Sequence, residues 1–116
     1  MGNFVTPTDS FERKVKRLLK KFHTLQDTLY NLEDQLIKNP FLGQKLGNNV
    51  YKVRVADKSK GKGKSGGFRI ITYLVRAEAS SIEILLLTIF DKSESETLEN
   101  SEIKEIIKEV LLSRKK

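Results

Sequence analysis

Lys52 and Arg54 lie two residues apart in Val50 to Ala56, where Tyr51, Val53 and Val55 alternate with them. A period of two is that of a strand, so the two cations project side by side, about 6.5–7 Å apart along it. Arg69 opens the next strand-forming run and Lys92 follows the one after that. Convergent cations of this kind can hold a phosphodiester. The plainer reading, that Lys52 and Arg54 form the wet face of an amphipathic strand, stands beside it. Breaking a phosphodiester by 2′-hydroxyl attack requires a proton acceptor, charge stabilisation for a crowded phosphorane and help for the departing 5′-oxygen. A lysine can accept a proton only where neighbouring like charge disfavours its ammonium form. Lys52 beside Arg54 and Arg69 is placed for that role, with the two arginines left to grip phosphate.

Gln44 to Arg76 holds nine Lys/Arg against the single acid Asp57, a net +8, while the remaining 13 basic and 14 acidic residues give −1, summing to +7. Lys58, Lys60, Lys62 and Lys64 alternate with small residues between the two runs. Charge polarised in this way favours a polyanion partner, because neutralised phosphates release their counterions. Gly63-Lys64-Ser65 does not make a nucleotide-phosphate loop. Lys58 stands where the first glycine is required, and the next segment is strand-forming Phe68 to Val75 rather than a helix.

Absence of cysteine removes disulfides and thiolate metal sites, no zinc-ligand spacing exists, and the one histidine, His23, cannot anchor a hydrolytic triad. No metal or cofactor is expected. The longest apolar run, Ile84 to Leu87 resuming at Ile89-Phe90, falls far short of the roughly 20 residues of a spanning helix. Met-Gly-Asn-Phe-Val-Thr-Pro lacks a basic head and an apolar core. The expectation is a soluble cytoplasmic domain with no membrane partner.

The elements that must position these cations are set by the apolar spacing. Phe11, Val15, Leu18, Leu19 and Phe22 form one helical stripe, with Asp9 as its expected cap and six cations on the other face. Leu25, Leu29, Leu32 and Leu36 form a second, capped by Thr24 and ended by Pro40. Two helices joined near His23 must fold back as a hairpin. Val50 to Ala56, Phe68 to Val75 and Ile82 to Phe90 are three strands joined by short connections, hence antiparallel, the last central. Asn3 to Val5 offers a short edge strand, and Ile103, Ile106, Ile107, Val110 and Leu111 mark a last helix. These spacings predict an α+β domain with its helices on one face of a small antiparallel sheet, leaving the other face to Lys52 and Arg54.

Leu46-Gly47-x-x-Val50-Tyr51-Lys52-Val53-Arg54, Gly63-Lys64-Ser65-Gly66-Gly67-Phe68-Arg69 and Leu87 to Glu94 together resemble the RelE/ParE superfamily of bacterial toxins, closest to its HigB-like branch. The resemblance implies one domain over 1–116, with a helical hairpin at about 9–39, a sheet at about 49–90 and a C-terminal helix at about 101–113. It implies a type II toxin–antitoxin toxin that cuts messenger RNA on the ribosome, partnered by an antitoxin protein. Lys52, Arg54 and Arg69 match the family's basic positions, and Lys92 stands where RelE-type enzymes carry an arginine. Lys58, Lys60, Lys62 and Lys64 would bind RNA backbone. Leu98 is nearest to the position of the family's tyrosine, so a non-catalytic RNA-binding domain remains an alternative. A ParE-like gyrase inhibitor is another.

Overall fold

The computed structural model describes residues 2–57, 67–91 and 100–114. Its elements run β1 (Phe4–Pro7), α1 (Asp9–Leu19), α2 (Leu25–Lys38), β2 (Gln44–Gly47), β3 (Val50–Val55), β4 (Phe68–Arg76), a 3₁₀ turn (Glu78–Ser80), β5 (Ile82–Asp91) and α3 (Asn100–Arg114). The five strands form one sheet in the order β1-β5-β4-β3-β2. β2 to β5 pair antiparallel in sequence order, whereas β1 runs parallel to β5 through Phe4↔Glu83 to Pro7↔Leu86. The mixed α+β fold and the helical hairpin agree with the apolar periodicities.

The sheet separates two apolar clusters. On one face Phe11, Phe22, Leu25, Leu32 and Leu36 of the hairpin bury against Val53, Val55, Phe68, Ile70, Ile84, Leu86 and Ile89. Phe22 meets Phe68 edge to face, with centroids 5.1 Å apart. On the other face Ile103 buries against Val50, Ile71, Leu85, Leu87 and Phe90, flanked by Ile106, Ile107 and Val110. This second cluster corrects the expectation that all helices share one face. β4 and β5 are apolar on both sides, and a sheet with two apolar faces must be covered twice.

Two caps also differ from expectation. Thr8, not Asp9, caps α1, its hydroxyl accepting from the Phe11 N–H at 3.2 Å. Thr24 occupies the N-cap position of α2, as expected, but makes no cap bond with its side chain. Its hydroxyl instead donates to Asp57 at 2.8 Å, and Thr28 donates to the same carboxylate at 2.6 Å. Asp57 is 3% exposed, so the only acid in the basic stretch is turned inward, beside the N-terminus of α2.

Glu83 holds the far end of α3. Its carboxylate accepts from Arg114 at 2.6 and 3.1 Å and from Thr6 at 2.7 Å. Burial opposes the Glu83 charge, but the bonds from Arg114 and Thr6 outweigh it and hold the carboxyl below its ordinary range.

Candidate functional site

Strand register brings two of the expected cations together. Arg54 and Arg69 are Cα partners across β3 and β4, so their side chains leave the same face of the sheet. Lys52, opposite Ile71, lies one pleat away on that face. Arg54 is exposed, Lys52 is half-buried and Arg69 is only 5% exposed. The row therefore has depth, with Arg54 outside and Arg69 inside. Burial first, and the Arg54 charge second, push the Arg69 guanidinium below the usual arginine value. An arginine still keeps its proton at working pH.

Two glycines allow this placement. At Gly67 a Cβ would stand 1.9 Å from the Val55 carbonyl oxygen, so only glycine lets β4 start close enough to β3 to set Arg69 opposite Arg54. Gly43, at φ +102°, packs where a Cβ would lie 2.5 Å from the Lys52 carbonyl oxygen. A groove of about 680 Å³ runs beside it between β3 and Thr28, Asn31 and Gln35 of α2, on the face of Val53 and Val55. Lys52 and Arg54 border it along the strand, but their places in the pleat turn their side chains to the opposite face, so the groove is separate from the Arg54–Arg69 row. Lys58, Lys60, Lys62, Lys64 and Lys92 lie outside the described residues, as does Leu98.

Sequence periodicity missed one further cation. Lys14 of α1 donates from Nζ to the Thr88 hydroxyl at 2.9 Å. Thr88 pairs with Ile71, and Phe90 pairs with Arg69, so Thr88 shares the face that carries Arg69. α1 packs on the opposite face, yet β1 pairs with β5 only as far as Leu86. The Lys14 ammonium therefore meets β5 at Thr88, a diagonal neighbour of Arg69 in the ladder, a relation of about 7–8 Å between Cα positions on a pleated sheet. Helical spacing places Lys14 on the outer face of α1 and carries no sign of this reach.

No family model matches the chain. Among solved structures it is similar to the E. coli toxin RelE, a double arginine-to-alanine mutant in the free state. The TM-score is 0.53 at 14% identity, covering 83% of this chain and 90% of that one. The fold is RelE-like. With helices on both sides of a five-stranded sheet, the RelE-like arrangement sets the Arg54–Arg69 row at the C-terminal ends of β3 and β5 and the N-terminal end of β4. Among the described residues no group of three or more His, Asp or Glu side chains could hold a metal ion. No described helix is long and apolar enough to cross a membrane.

Proposed function

We propose that this chain is the toxin of a type II toxin–antitoxin pair, of the HigB-like branch, and that it cuts messenger RNA positioned on the ribosome. The carrying observation is the Arg54–Arg69 pair. Two guanidinium groups facing each other across neighbouring strands, one exposed and one buried, make a place where an anion is favoured. The RelE-like fold and the glycine requirement at Gly67, inside the Gly63 to Arg69 segment, support the same reading.

In this mechanism the scissile phosphate lies between Arg54 and Arg69. Lys52, one pleat away, takes the proton from the 2′-hydroxyl as its oxygen attacks phosphorus. The guanidinium groups stabilise the dianionic phosphorane, and Arg69 acts as a fixed, desolvated charge that needs no reorganisation. The P–O5′ bond breaks, leaving a 2′,3′-cyclic phosphate and a 5′-hydroxyl, with Lys92 assisting the departing oxygen. Lys58, Lys60, Lys62 and Lys64 bind backbone. A cytoplasmic setting, where ribosomes and an antitoxin protein are available, goes with this reading.

Primer extension on a message translated in the presence of the purified chain tests it. New 5′ ends inside the reading frame are expected, and Arg54→Gln should remove them. An intact message together with loss of gyrase supercoiling would replace this reading with the ParE-like one. An intact message that is nevertheless bound would leave an RNA-binding domain.

A further inference from the structure

The cations of α1 form the largest charged feature that the proposed cleavage site leaves unused. Residues 13–21 read Arg-Lys-Val-Lys-Arg-Leu-Leu-Lys-Lys, six cations without an acid. Val15, Leu18 and Leu19 pack toward the core, so the charges are driven to the outside. Arg13, Lys16, Arg17, Lys20 and Lys21 are exposed, and none of them makes an ion pair among the described residues. Helix stability does not ask for this density. Lys16 and Arg17 already supply the basic last turn that complements the helix dipole. Arg13 with Arg17, and Lys16 with Lys20, are like-charge neighbours at i and i+4, which repel.

The stripe also connects to the candidate site. Lys14 bonds Thr88 on the sheet face that holds Arg69, while Ser10, Arg13, Arg17 and Lys20 line a shallow cleft of about 420 Å³ on the outer side of the same helix. Lys14, bonded to Thr88, is thus the link in sequence and contact between the sheet that carries Arg54 and Arg69 and the cations of α1. Turn-to-turn neighbours along α1 are about 5–6 Å apart at Cβ.

We propose that the outer face of α1 is a second anion site, a track that holds the sugar-phosphate backbone of the RNA strand running on from the Arg54–Arg69 pair. The inference rests on the reading of that pair as an RNA site. Nucleic acid fits the face better than an acidic protein does. Protein interfaces are anchored by large apolar or aromatic side chains. Among the described residues the exposed ones are Phe4, Tyr30, Ile37, Phe41 and Leu112, none of them on α1. A chain of phosphates needs only the cations. Remote backbone contacts of this kind hold substrate and transition state equally, so they act on KM and leave kcat unchanged.

The test uses two 2′-O-methyl RNAs, which cannot be cut by 2′-oxygen attack, of about four and about twelve nucleotides. The wild-type chain should bind the longer at least tenfold more tightly. The triple variant Arg13→Gln/Arg17→Gln/Lys20→Gln should lose that advantage, keep its affinity for the shorter RNA, and show a salt slope smaller by roughly 2 log units, at about 0.7 for each single-strand phosphate contact. All three side chains are exposed, so its melting temperature should stay near that of the wild type. A length advantage that survives the triple substitution overturns the track, as does a wild type with no length advantage. A variant that keeps RNA binding but loses binding to polyglutamate overturns it in favour of an acidic protein. Loss of the length advantage in the variant alongside an uncut message with the wild type would keep the track and reject the cleavage mechanism, so the two failures are separable.

Discussion

Arg54 and Arg69 face one another directly across β3 and β4, and the inner of the two is 5% exposed. Like charges set opposite each other on a sheet destabilise it. Both burial and the neighbouring charge work against the Arg69 guanidinium. Arg69 Nη1 donates to the Phe68 carbonyl oxygen at 3.3 Å, and an anion beside the two guanidinium groups would offset their repulsion further.

Removing the exposed partner should therefore separate stability from activity. Arg54→Gln is expected to stabilise the fold by about 0.2–1 kcal/mol, the usual scale of a cross-strand pair. It should lower RNA cleavage on the order of 10²-fold or more, as the loss of a preorganised charge stabiliser does. Urea unfolding beside a cleavage time course checks both. A variant that is less stable and equally active would mean the two charges do not oppose each other.

Sulfate or inorganic phosphate should raise the melting temperature of the wild-type chain, because a ligand that binds only the folded state stabilises it as RT ln(1 + [L]/Kd). Chloride at matched ionic strength supplies the control for general screening. The sulfate-specific part of the rise should shrink in Arg54→Gln. Equal rises in the two proteins would place the anion elsewhere.

Glu83 supplies a pH dependence to the docking of α3. Its folded carboxyl titrates below the ordinary value, so its contribution is complete above the unfolded value near pH 4.3 and is lost as pH falls through the folded one. Unfolding free energy should fall between pH 6 and pH 3, and part of that fall should be missing in Glu83→Gln. Arg114→Ala should cost about 1–3 kcal/mol at neutral pH by leaving the Glu83 carboxylate short of its main partner. Denaturant curves across that pH range measure both, and parallel slopes for wild type and Glu83→Gln would contradict the assignment.

Gly67→Ala should be among the most damaging single-methyl additions in the chain. A Cβ at 1.9 Å from a backbone oxygen cannot be absorbed by a rotamer change, so β4 must shift away from Val55. A loss of about 1–3 kcal/mol, the scale of overpacking, is expected, with cleavage reduced further because Arg69 moves with the strand. Thermal unfolding gives the first and primer extension the second. A variant with wild-type stability would show that the approach of Gly67 to Val55 is not required.

The elements were readable where a single period dominates. The stripes of Phe11 to Phe22 and Leu25 to Leu36, and the alternation of Tyr51, Val53 and Val55, each correspond to the element they suggest. β2 was not readable, because Gln44 to Gly47 has one apolar residue and owes its pairing to β3. The position of α3 on the second face is explained by Ile71, Leu85 and Leu87 being apolar opposite the hairpin, a cue present in the sequence but overshadowed by Lys52 and Arg54. Within the site, a period of two put Lys52 and Arg54 on one side, yet only register could place Arg69 opposite Arg54. Lys14 and Asp57 were hidden for a common reason. Both act through partners 74 and 29 to 33 residues away, Thr88 for the lysine and Thr28 and Thr24 for the aspartate, and local spacing cannot encode such contacts.

Mapping 5′ ends on a translated message, with wild type and Arg54→Gln side by side, bears most directly on the role of the facing arginines. Discrete cuts by the wild type that disappear in a folded Arg54→Gln protein are the expected result. Cuts of equal strength from both proteins, or none from the wild type, would contradict it.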